Sequence, residues 1–370
     1  MEKEIKVKLK RMIDNSYPII FSPKILKNLG KILTARHRAS SYVIICDETT
    51  KKLFGGILQT ELLRAGMKSV ILSIPAGEKS KSMNAKSFLE ESMLRFGCDR
   101  KSLIIALGGG VVGDLAGFVA ATYMRGIDYI IIPTTLLAMV DSSIGGKTGI
   151  DNSMGKNLIG AFWQPKAVYI DLHLLNTLPF FQLKNGLFEV IKIFATSDER
   201  SFKFLQKNLQ QILKRNPKVL SKIVSRAIML KASVVSHDER ESSKRMILNF
   251  GHTIGHTLEK LSEYKIVHGC AVALGMLVEA KLAVNVSVLS QTQFEVLKKL
   301  IMDLGVNPGI IKKYNFKTLV NITRGDKKSD HGKERYVLLQ KIGKVEIKNN
   351  TYAHVVAEDE VEKALKDVTN

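Results

Sequence analysis

The glycine-rich stretch between residues 102 and 160 constrains this chain more than any other part of its sequence. A short apolar run, 103–107, leads into glycines at 108, 109, 110 and 113, and an Ala-rich helical pattern then leads to a second β-type run, 129–132. The order is therefore strand, glycine turn, helix, strand. Glycines 108, 110 and 113 have the G-x-G-x-x-G spacing, which lets backbone N–H groups and a helix N-terminus approach a pyrophosphate. The stretch predicts a dinucleotide site.

The usual acidic partner of this motif is displaced. A single-domain dinucleotide site carries a carboxylate about 20 residues later, at the end of the next strand, where it binds a ribose. Here that strand ends in Pro133-Thr134-Thr135. Asp47 follows the buried-type strand 42–46, and a carboxylate just past a strand lies where doubly wound sheets bind ligands. Asp47 is therefore the ribose candidate, and a glycine turn that merely packs a helix on the sheet is the alternative.

The alternation of strand and helix patterns predicts the fold class. From residue 42 to 171 the two patterns alternate, which favours a parallel sheet with helices on both faces. Leu178-Pro179 breaks this pattern, and the rest is mostly helical apart from a strand pair over 336–347 with a turn at Gly343. We predict a Rossmann-like α/β domain over 1–178, which begins with a strand-like segment at 5–9, and a mainly α-helical domain over 179–370.

Composition excludes several function classes. The 370 residues are 45% hydrophobic and 25% charged, which suits an ordinary globular core. The net charge of +21 invites a nucleic-acid function, but the lysines are scattered and no nucleic-acid motif accompanies them, so a solvated surface is favoured. The N-terminus has no apolar signal region, and no stretch predicts a membrane span, so we expect a cytoplasmic protein. Three widely spaced cysteines predict no disulfide framework.

Histidines in the second half have the spacing of a metal site. His252 and His256 stand four residues apart and share one face of a helix. On one continuous helix, His268 would lie about 24 Å from His252 along the axis and would point in nearly the opposite direction. His268 must therefore return on a second helix, after a turn near 262–265. Imidazoles, a carboxylate and an open position are typical of catalytic zinc. Paired histidines on the surface or in the core are the alternative.

Four segments together resemble one enzyme family. They read GGGVVGDLAGFVAATYMRG from residue 108, PTTLLAMVDSSIGGKTGID from 133, GKNLIGAF from 155 and LNFGHTIGHTLE from 248. These runs closely resemble 3-dehydroquinate synthase, a sugar phosphate cyclase. The resemblance is dense over residues 108–162, resumes at the histidines and thinly covers most of the chain.

The resemblance implies NAD and Zn²⁺ or Co²⁺ as cofactors. It points to Glu189 as the carboxylate ligand of the metal, together with His252 and His268, and to His256 as a neighbouring catalytic histidine. Nothing in the local pattern singles out Glu189 itself. The family's nucleotide-binding positions correspond to Asp47, Glu78, Lys81, Gly109, Gly110, Val111, Asp114, Thr134, Thr135, Asp141, Lys147 and Lys156.

The resemblance also implies the reaction and its substrate. The substrate is 3-deoxy-D-arabino-heptulosonate 7-phosphate, which becomes 3-dehydroquinate and phosphate through transient oxidation at C5, elimination, re-reduction, ring opening and aldol closure. The resemblance also implies a homodimer, because Arg125 matches the residue that family members contribute to the phosphate site of the neighbouring subunit. One lysine of Lys327 and Lys328 is expected to contribute. The remaining matched catalytic positions are Asp141, Lys147, Lys156, Asn157, Lys192, Lys231, Arg245, Asn249 and His256.

Two other enzyme classes stay open at this point. A metal- and NAD-dependent polyol dehydrogenase on a related scaffold could share the glycine turn and the histidines, but it would not need so many lysines. A sister cyclase acting on another phosphorylated sugar is the second alternative. Phe188 and Cys270 depart from the family pattern beside the expected metal ligands, which leaves the local packing of that site open.

Overall fold

Six parallel strands form the centre of the first half of the chain. The computed structural model describes residues 14–323 and 334–369, so the predicted strand at 5–9 lies outside the described residues. The sheet order is β1-β8-β5-β4-β2-β3, and two antiparallel hairpins, β6–β7 and β9–β10, lie apart from it. The strands are β1 (Ile19–Phe21), β2 (Tyr42–Asp47), β3 (Ser69–Ile74), β4 (Leu103–Gly108), β5 (Asp128–Pro133), β6 (Lys147–Asn152), β7 (Gly155–Phe162), β8 (Ala167–Ile170), β9 (Leu339–Lys341) and β10 (Lys344–Val345).

Helices cover the sheet and make up most of the second half. Among the described residues, none of them is long and apolar enough to cross a membrane. The helices are α1 (Ile25–Arg36), α2 (Glu48–Thr50), α3 (Gly56–Arg64), α4 (Met83–Phe96), α5 (Gly110–Thr122), α6 (Phe180–Ser197), α7 (Glu199–Lys207), α8 (Leu209–Leu213), α9 (Pro217–His237), α10 (His252–Leu261), α11 (His268–Asn285), α12 (Gln291–Asp303), α13 (Phe316–Thr323) and α14 (Glu358–Thr369).

The central strands form because their sequences are apolar on both faces. All six residues of β4 are buried, as are the first five of β2. Parallel strands covered by helices on both sides read as continuous apolar runs rather than as alternating ones. The predicted fold class, a Rossmann-like parallel sheet followed by a mainly helical region, is confirmed.

The strand order creates a crevice at one edge of the sheet. β2 pairs with β3 on one side and with β4 on the other. The connection that follows β2 therefore runs to one side of the sheet, and the connection that follows β4 runs to the other. The loops after two such strands diverge, and ligands bind in the crevice outside their carboxyl ends. Asp47 and the glycine turn at 108–110 flank this point.

The β6–β7 hairpin was not predicted. It pairs Lys147 with Phe162 and Ile150 with Ile159 in antiparallel register. β7 is exposed along much of its length, so its sequence lacks the in–out alternation that marks a half-buried strand. The helical pattern of the sequence after Leu178-Pro179 predicts a helix from residue 188, whereas the helix begins earlier, at Phe180, directly after Pro179. Glu189 and Lys192 therefore lie in the middle of a long buried helix.

Glycines let the helices of the second half approach the sheet and one another closely. A Cβ at Gly186 of α6 would overlap the backbone of Leu137, which follows β5. A Cβ at Gly269 of α11 would overlap the backbone carbonyl of Asn185, and the Asn185 amide oxygen accepts a hydrogen bond from the Gly269 N–H at 2.6 Å. Glu189 and His268 are thereby brought to one place.

We expect Gly269→Ala to lower the free energy of unfolding by about 1–3 kcal/mol, because overpacking forces backbone shifts. The measurement is urea denaturation in the presence of EDTA, so that metal binding does not contribute. Gly56→Ala is the matched control, since a Cβ there meets no atom within 4 Å among the described residues and alanine favours helix. Equal denaturation midpoints for the two variants would contradict the close-packing account.

Candidate active site

The residues expected to bind a nucleotide lie along the carboxyl edge of the sheet. Asp47 is the half-buried last residue of β2, and its carboxylate accepts a hydrogen bond from the Thr50 N–H at 2.8 Å. Gly109 is the N-cap of α5 and offers no side-chain cap, so the first-turn N–H groups of that helix are available to bind an anion. Gly110 and Val111 form this first turn. Thr134 and Thr135 follow β5, the neighbouring strand.

A second group of polar residues joins the hairpin to the sheet. The Lys81 ammonium forms an ion pair with Asp114 of α5 and a hydrogen bond with the Asn157 amide oxygen of β7. Burial lowers the pKa of Lys81, but the Asp114 carboxylate outweighs burial and raises the pKa above its ordinary value. Lys156, next to Asn157, lies 3.4 Å from Glu78. The loop 75–81, α5 and the hairpin are therefore linked by charge.

Asp141 is the centre of a charged cluster after β5. The Nζ atom of Lys231, on α9, lies 2.5 Å from Asp141 Oδ1 and 2.7 Å from the Asp141 backbone oxygen. The Nζ atom of Lys192, on α6, lies 3.9 Å from the same Oδ1. Burial raises the pKa of Asp141, but the two ammonium groups outweigh it and hold the pKa well below its usual range. The Asp141 carboxylate is therefore ionised at neutral pH.

Three helices bring a carboxylate and two imidazoles together. Glu189 comes from α6, His252 from α10 and His268 from α11. Glu189 Oε1 lies 3.9 Å from His252 Nε2 and 3.6 Å from His268 Nε2. Two ligands at about 2.1 Å from a tetrahedral ion lie about 3.4 Å apart. The spacing of these atoms suits a metal between them, and the turn at 262–265 expected to separate the two histidine helices is confirmed.

The chemistry of the cluster also fits a cation. The Glu189 side chain is completely buried; its Oε2 atom forms an ion pair with the Lys192 ammonium, and its Oε1 atom faces the two imidazoles. A buried carboxylate is costly unless cations compensate it, and a metal ion between Oε1 and the imidazoles would add to the compensation that Lys192 provides. The His252 Nδ1 atom lies 3.3 Å from the Phe250 carbonyl oxygen. That contact places the proton on Nδ1 and leaves Nε2 to bind a metal.

His256 lies beside this cluster. Its ring centroid is 5.2 Å from that of His252 and 6.1 Å from that of His268. Cys270, two residues after His268, is half-buried. Among the described residues, its sulfur does not join the atoms of Glu189, His252 and His268 that surround one point. Two residues along a helix rotate a side chain by about 200°, so Cys270 faces away from the ligands.

Glu259 was missed by the sequence analysis. Its buried carboxylate accepts a hydrogen bond from His268 Nδ1 at 3.1 Å and lies 3.1 Å from Lys156 Nζ. Burial raises the pKa of Glu259, but His268 and Lys156 outweigh it and lower the pKa to about 2. Burial lowers the pKa of His268, but contacts with Glu189 and Glu259 raise it to about 10. The positions 252, 256 and 259 share one helix face, which is a signal that could have identified Glu259.

Glu241 was also missed. It lies in the loop after α9 with a φ of 61°, forms an ion pair with Lys147 and accepts a hydrogen bond from Asn249 Nδ2 at 2.6 Å. Glu241 reaches this position through an irregular loop conformation, which no pattern in the sequence predicts. Arg245, nearby, is buried, and its guanidinium donates to the Glu239 carbonyl and lies 3.4 Å from the Gly145 carbonyl oxygen.

Arg125 lies apart from the other predicted site residues. It is exposed and precedes β5, at the amino edge of the sheet, whereas the nucleotide and metal residues gather at the carboxyl edge. The length of α5, about 20 Å, separates the two edges. The lysine-bearing segment with Lys327 and Lys328 lies outside the described residues.

Comparisons with known proteins identify the family. The family model for the 3-dehydroquinate synthase N-terminal region matches residues 71–185, and the model for the C-terminal region matches 186–329. The 3-dehydroquinate synthase of Desulforamulus reducens is 44% identical over 90% of this chain and 93% of its own length. The chain belongs to the 3-dehydroquinate synthase family. The enzyme of that name from Caldanaerobacter subterraneus subsp. tengcongensis is 43% identical over 98% of this chain and 99% of its own length.

Solved structures of sugar phosphate cyclases share the fold of this 3-dehydroquinate synthase family member. A 2-epi-5-epi-valiolone synthase from Streptomyces hygroscopicus subsp. jinggangensis, with NAD⁺ and Zn²⁺ bound, has a TM-score of 0.88 and 25% identity, and the match covers 98% of this chain and 99% of that one. A 2-deoxy-scyllo-inosose synthase complexed with carbaglucose-6-phosphate, NAD⁺ and Co²⁺ has a TM-score of 0.86 and 27% identity, covering 94% and 96%. A glycerol dehydrogenase from Sinorhizobium meliloti, at 13% identity and a TM-score of 0.69, shares the fold alone.

We expect Glu189→Ala, His252→Ala and His268→Ala each to lose bound metal, whereas His256→Ala retains it and loses turnover. The first three supply the atoms that surround one point, and His256 stands next to it. Metal content of the purified variants, measured by elemental analysis, tests the assignment. A metal-free His256→Ala protein, or a fully loaded His252→Ala protein, would show that the ligands are assigned wrongly.

Proposed function

We propose that this protein is a 3-dehydroquinate synthase. It converts 3-deoxy-D-arabino-heptulosonate 7-phosphate into 3-dehydroquinate and phosphate, the second step of the shikimate pathway. One observation carries the proposal: Lys192 contacts both Glu189 of the metal cluster and Asp141 of the charged cluster. A metal site and a site for an anionic substrate would therefore be contiguous at the carboxyl edge of a dinucleotide-type sheet.

The proposed cofactors are NAD and a divalent metal ion, Zn²⁺ or Co²⁺. Both similar cyclase structures contain NAD⁺, one with Zn²⁺ and the other with Co²⁺. When bound, NAD accepts and returns a hydride, and the metal ion polarises the oxygen of the carbon that is oxidised. Glu189, His252 and His268 would hold the metal. The nucleotide would contact Asp47, Glu78, Lys81, Gly109, Gly110, Val111, Asp114, Thr134, Thr135, Asp141, Lys147 and Lys156.

Asp141 would orient the C5 hydroxyl of the substrate and accept its proton. The carboxylate is ionised because Lys231 and Lys192 stabilise the negative charge, and an ionised carboxylate can accept a hydrogen bond from a hydroxyl. His256, half-buried beside the metal cluster, would assist proton transfer. These two groups would supply the acid–base chemistry of the reaction.

Cationic and amide side chains would bind the two anionic ends of the substrate, its carboxylate and its phosphate. Lys192 and Arg245 are buried, so their charges act in an environment of low dielectric constant and interact strongly with an anion. A polyol has no such anionic groups, which argues against the dehydrogenase alternative. The proposed substrate-binding residues are Lys147, Lys156, Asn157, Lys192, Lys231, Arg245 and Asn249.

The two halves of the chain would act as two domains, 1–178 for the nucleotide and 179–370 for the metal and substrate. The metal ligands all follow residue 178, and Asp47, Gly109 and Thr134 all precede it. Asp141 and Lys231 join the halves by their ion pair. Closure of the halves on a substrate would exclude water from this junction.

We expect phosphate release from the heptulosonate phosphate in amounts equal to 3-dehydroquinate, with no accumulation of NADH, because the cofactor is reoxidised on the same bound intermediate. Phosphate and absorbance in the NADH band are measured together. Asp141→Asn should lower kcat by about 10²–10⁴-fold, the usual contribution of a general acid–base group. Stoichiometric NADH would establish a dehydrogenase, and faster turnover of another phosphorylated sugar in a substrate panel would establish a sister cyclase.

The protein is proposed to act in the cytoplasm as a homodimer. Support comes from Arg125, which is exposed at the amino edge of the sheet and lies far from the site of its own chain. An arginine can bind a phosphate with two parallel hydrogen bonds. If Arg125 acts in phosphate binding, it must do so in the site of a neighbouring subunit.

We expect Arg125→Ala and His256→Ala to be nearly inactive alone and to regain activity when the two are unfolded and refolded together. A mixed dimer has one site with both residues intact, so random pairing restores about a quarter of the wild-type activity. Activity of the refolded mixture is the measurement, and each variant refolded alone is the control. A mixture as inactive as its components would place Arg125 outside the neighbour's site.

A further inference from the structure

Glu259 is a buried carboxylate on the same face of α10 as His252 and His256. Offsets of four and seven residues keep the three side chains within about 60° of one another around the helix. The Glu259 side chain is 3% exposed. A carboxylate buried to this extent is stable only if it is paired and hydrogen-bonded.

The two oxygens of Glu259 have different partners. Oε2 accepts a hydrogen bond from Nδ1 of His268 at 3.1 Å, and Oε1 lies 3.1 Å from Nζ of Lys156. His268 begins α11 in the helical half, and Lys156 lies on the hairpin strand β7. Glu259 therefore connects a candidate metal ligand to a candidate substrate-binding lysine across the two halves of the chain.

On the metal side, the contact determines which nitrogen of His268 can bind a cation. Because Nδ1 donates its proton to Glu259, the imidazole presents Nε2, which lies 3.6 Å from Glu189 Oε1. A carboxylate behind a metal-binding histidine fixes the tautomer and the orientation of the ring and makes the histidine a stronger ligand.

On the substrate side, Glu259 is among the groups of the described residues that lie close to the Lys156 ammonium. Glu78 lies 3.4 Å from it, and the ring centroid of Tyr264 lies 4.4 Å from it. Glu259 is the most buried of the three, and its interaction with the ammonium is therefore the least screened by solvent. Through its two oxygens it links the head of Lys156 to His268 of the metal cluster.

We propose that Glu259 is a positioning residue that serves both sites at once, orienting His268 for the metal and holding Lys156 toward the anionic substrate. The proposal rests on the proposed function for the roles of the metal and of Lys156. Glutamine cannot replace Glu259, because an amide has one acceptor oxygen and a carboxylate has two. If the amide oxygen faces His268, the NH₂ group faces an ammonium, and in the opposite orientation the wrong histidine tautomer is favoured.

The first test measures Zn²⁺ affinity of the full-length protein by competition with a chelator, without NAD or substrate. Glu259→Gln should weaken Zn²⁺ binding about 10–100-fold, the usual effect of losing such a partner of a metal ligand. Glu263→Gln is the matched control, because it removes the same charge four residues away from a side chain that is 80% exposed. Equal Zn²⁺ affinities for the two variants would overturn the proposal that Glu259 orients His268 for the metal.

The second test measures KM and kcat for the phosphorylated substrate at saturating Zn²⁺. Glu259→Gln should raise KM mainly through Lys156, so the same change made in a Lys156→Met background should raise KM much less. Fully additive increases in KM would overturn the proposal that Glu259 holds Lys156 toward the substrate. Glu259→Asp retains two equivalent acceptor oxygens and should recover part of the lost Zn²⁺ affinity. An aspartate variant that binds Zn²⁺ as weakly as the glutamine variant would contradict the proposal.

The two tests separate this inference from the proposed function. Zn²⁺ affinity is measured without turnover, so a wild-type protein that lacks synthase activity would refute the function and leave the affinity result intact. Normal synthase activity together with unchanged Zn²⁺ affinity in Glu259→Gln would refute the positioning role and leave the function intact.

Discussion

A largely buried network of charges holds the helical half of the chain against the carboxyl edge of the sheet. Glu189 and Lys192 of α6 form an ion pair, Lys192 approaches Asp141, and Asp141 binds Lys231 of α9. Buried charges are tolerated only when each is compensated, and removing one partner of a buried pair typically costs about 3–5 kcal/mol. The contact between the halves therefore depends on all four groups together. A purely apolar contact would be at least as stable, but it could not present charges to a ligand.

The same network determines the chemistry of the site. Lys192 compensates the charge of the buried Glu189 through Oε2, and Oε1 faces His252 and His268, an arrangement that suits a bound cation. Asp141 stays ionised because two ammonium groups lie beside it. Glu241 and Glu259 neutralise further lysines, Lys147 and Lys156, at the periphery. A site for a substrate with two anionic groups thus contains its cations already paired with internal carboxylates, which limits the cost of burying them before the substrate arrives.

Most of the fold follows from local pattern. The runs 42–46, 103–107 and 129–132 are apolar on both faces and became central parallel strands, and the second half is mainly helical, as predicted. The hairpin β6–β7 could not be read from pattern, since β7 is exposed on both faces over much of its length. Its strands are stabilised by pairing with each other and by contact with α5, and neither contribution leaves a periodic signal in the sequence.

By itself, the sequence determined the glycine turn after β4, the pair His252 and His256 on one helix face, and the need for His268 to return on another helix, because these follow from the geometry of a single element. Tertiary structure alone decided that Asp141 lies between two lysines and that Glu259 faces His268 and Lys156. It also brings Glu189, which only the family resemblance had indicated, to the histidines. These contacts join residues up to 103 positions apart, such as Lys156 and Glu259. The packing of whole helices sets their distances, so no local pattern could contain them.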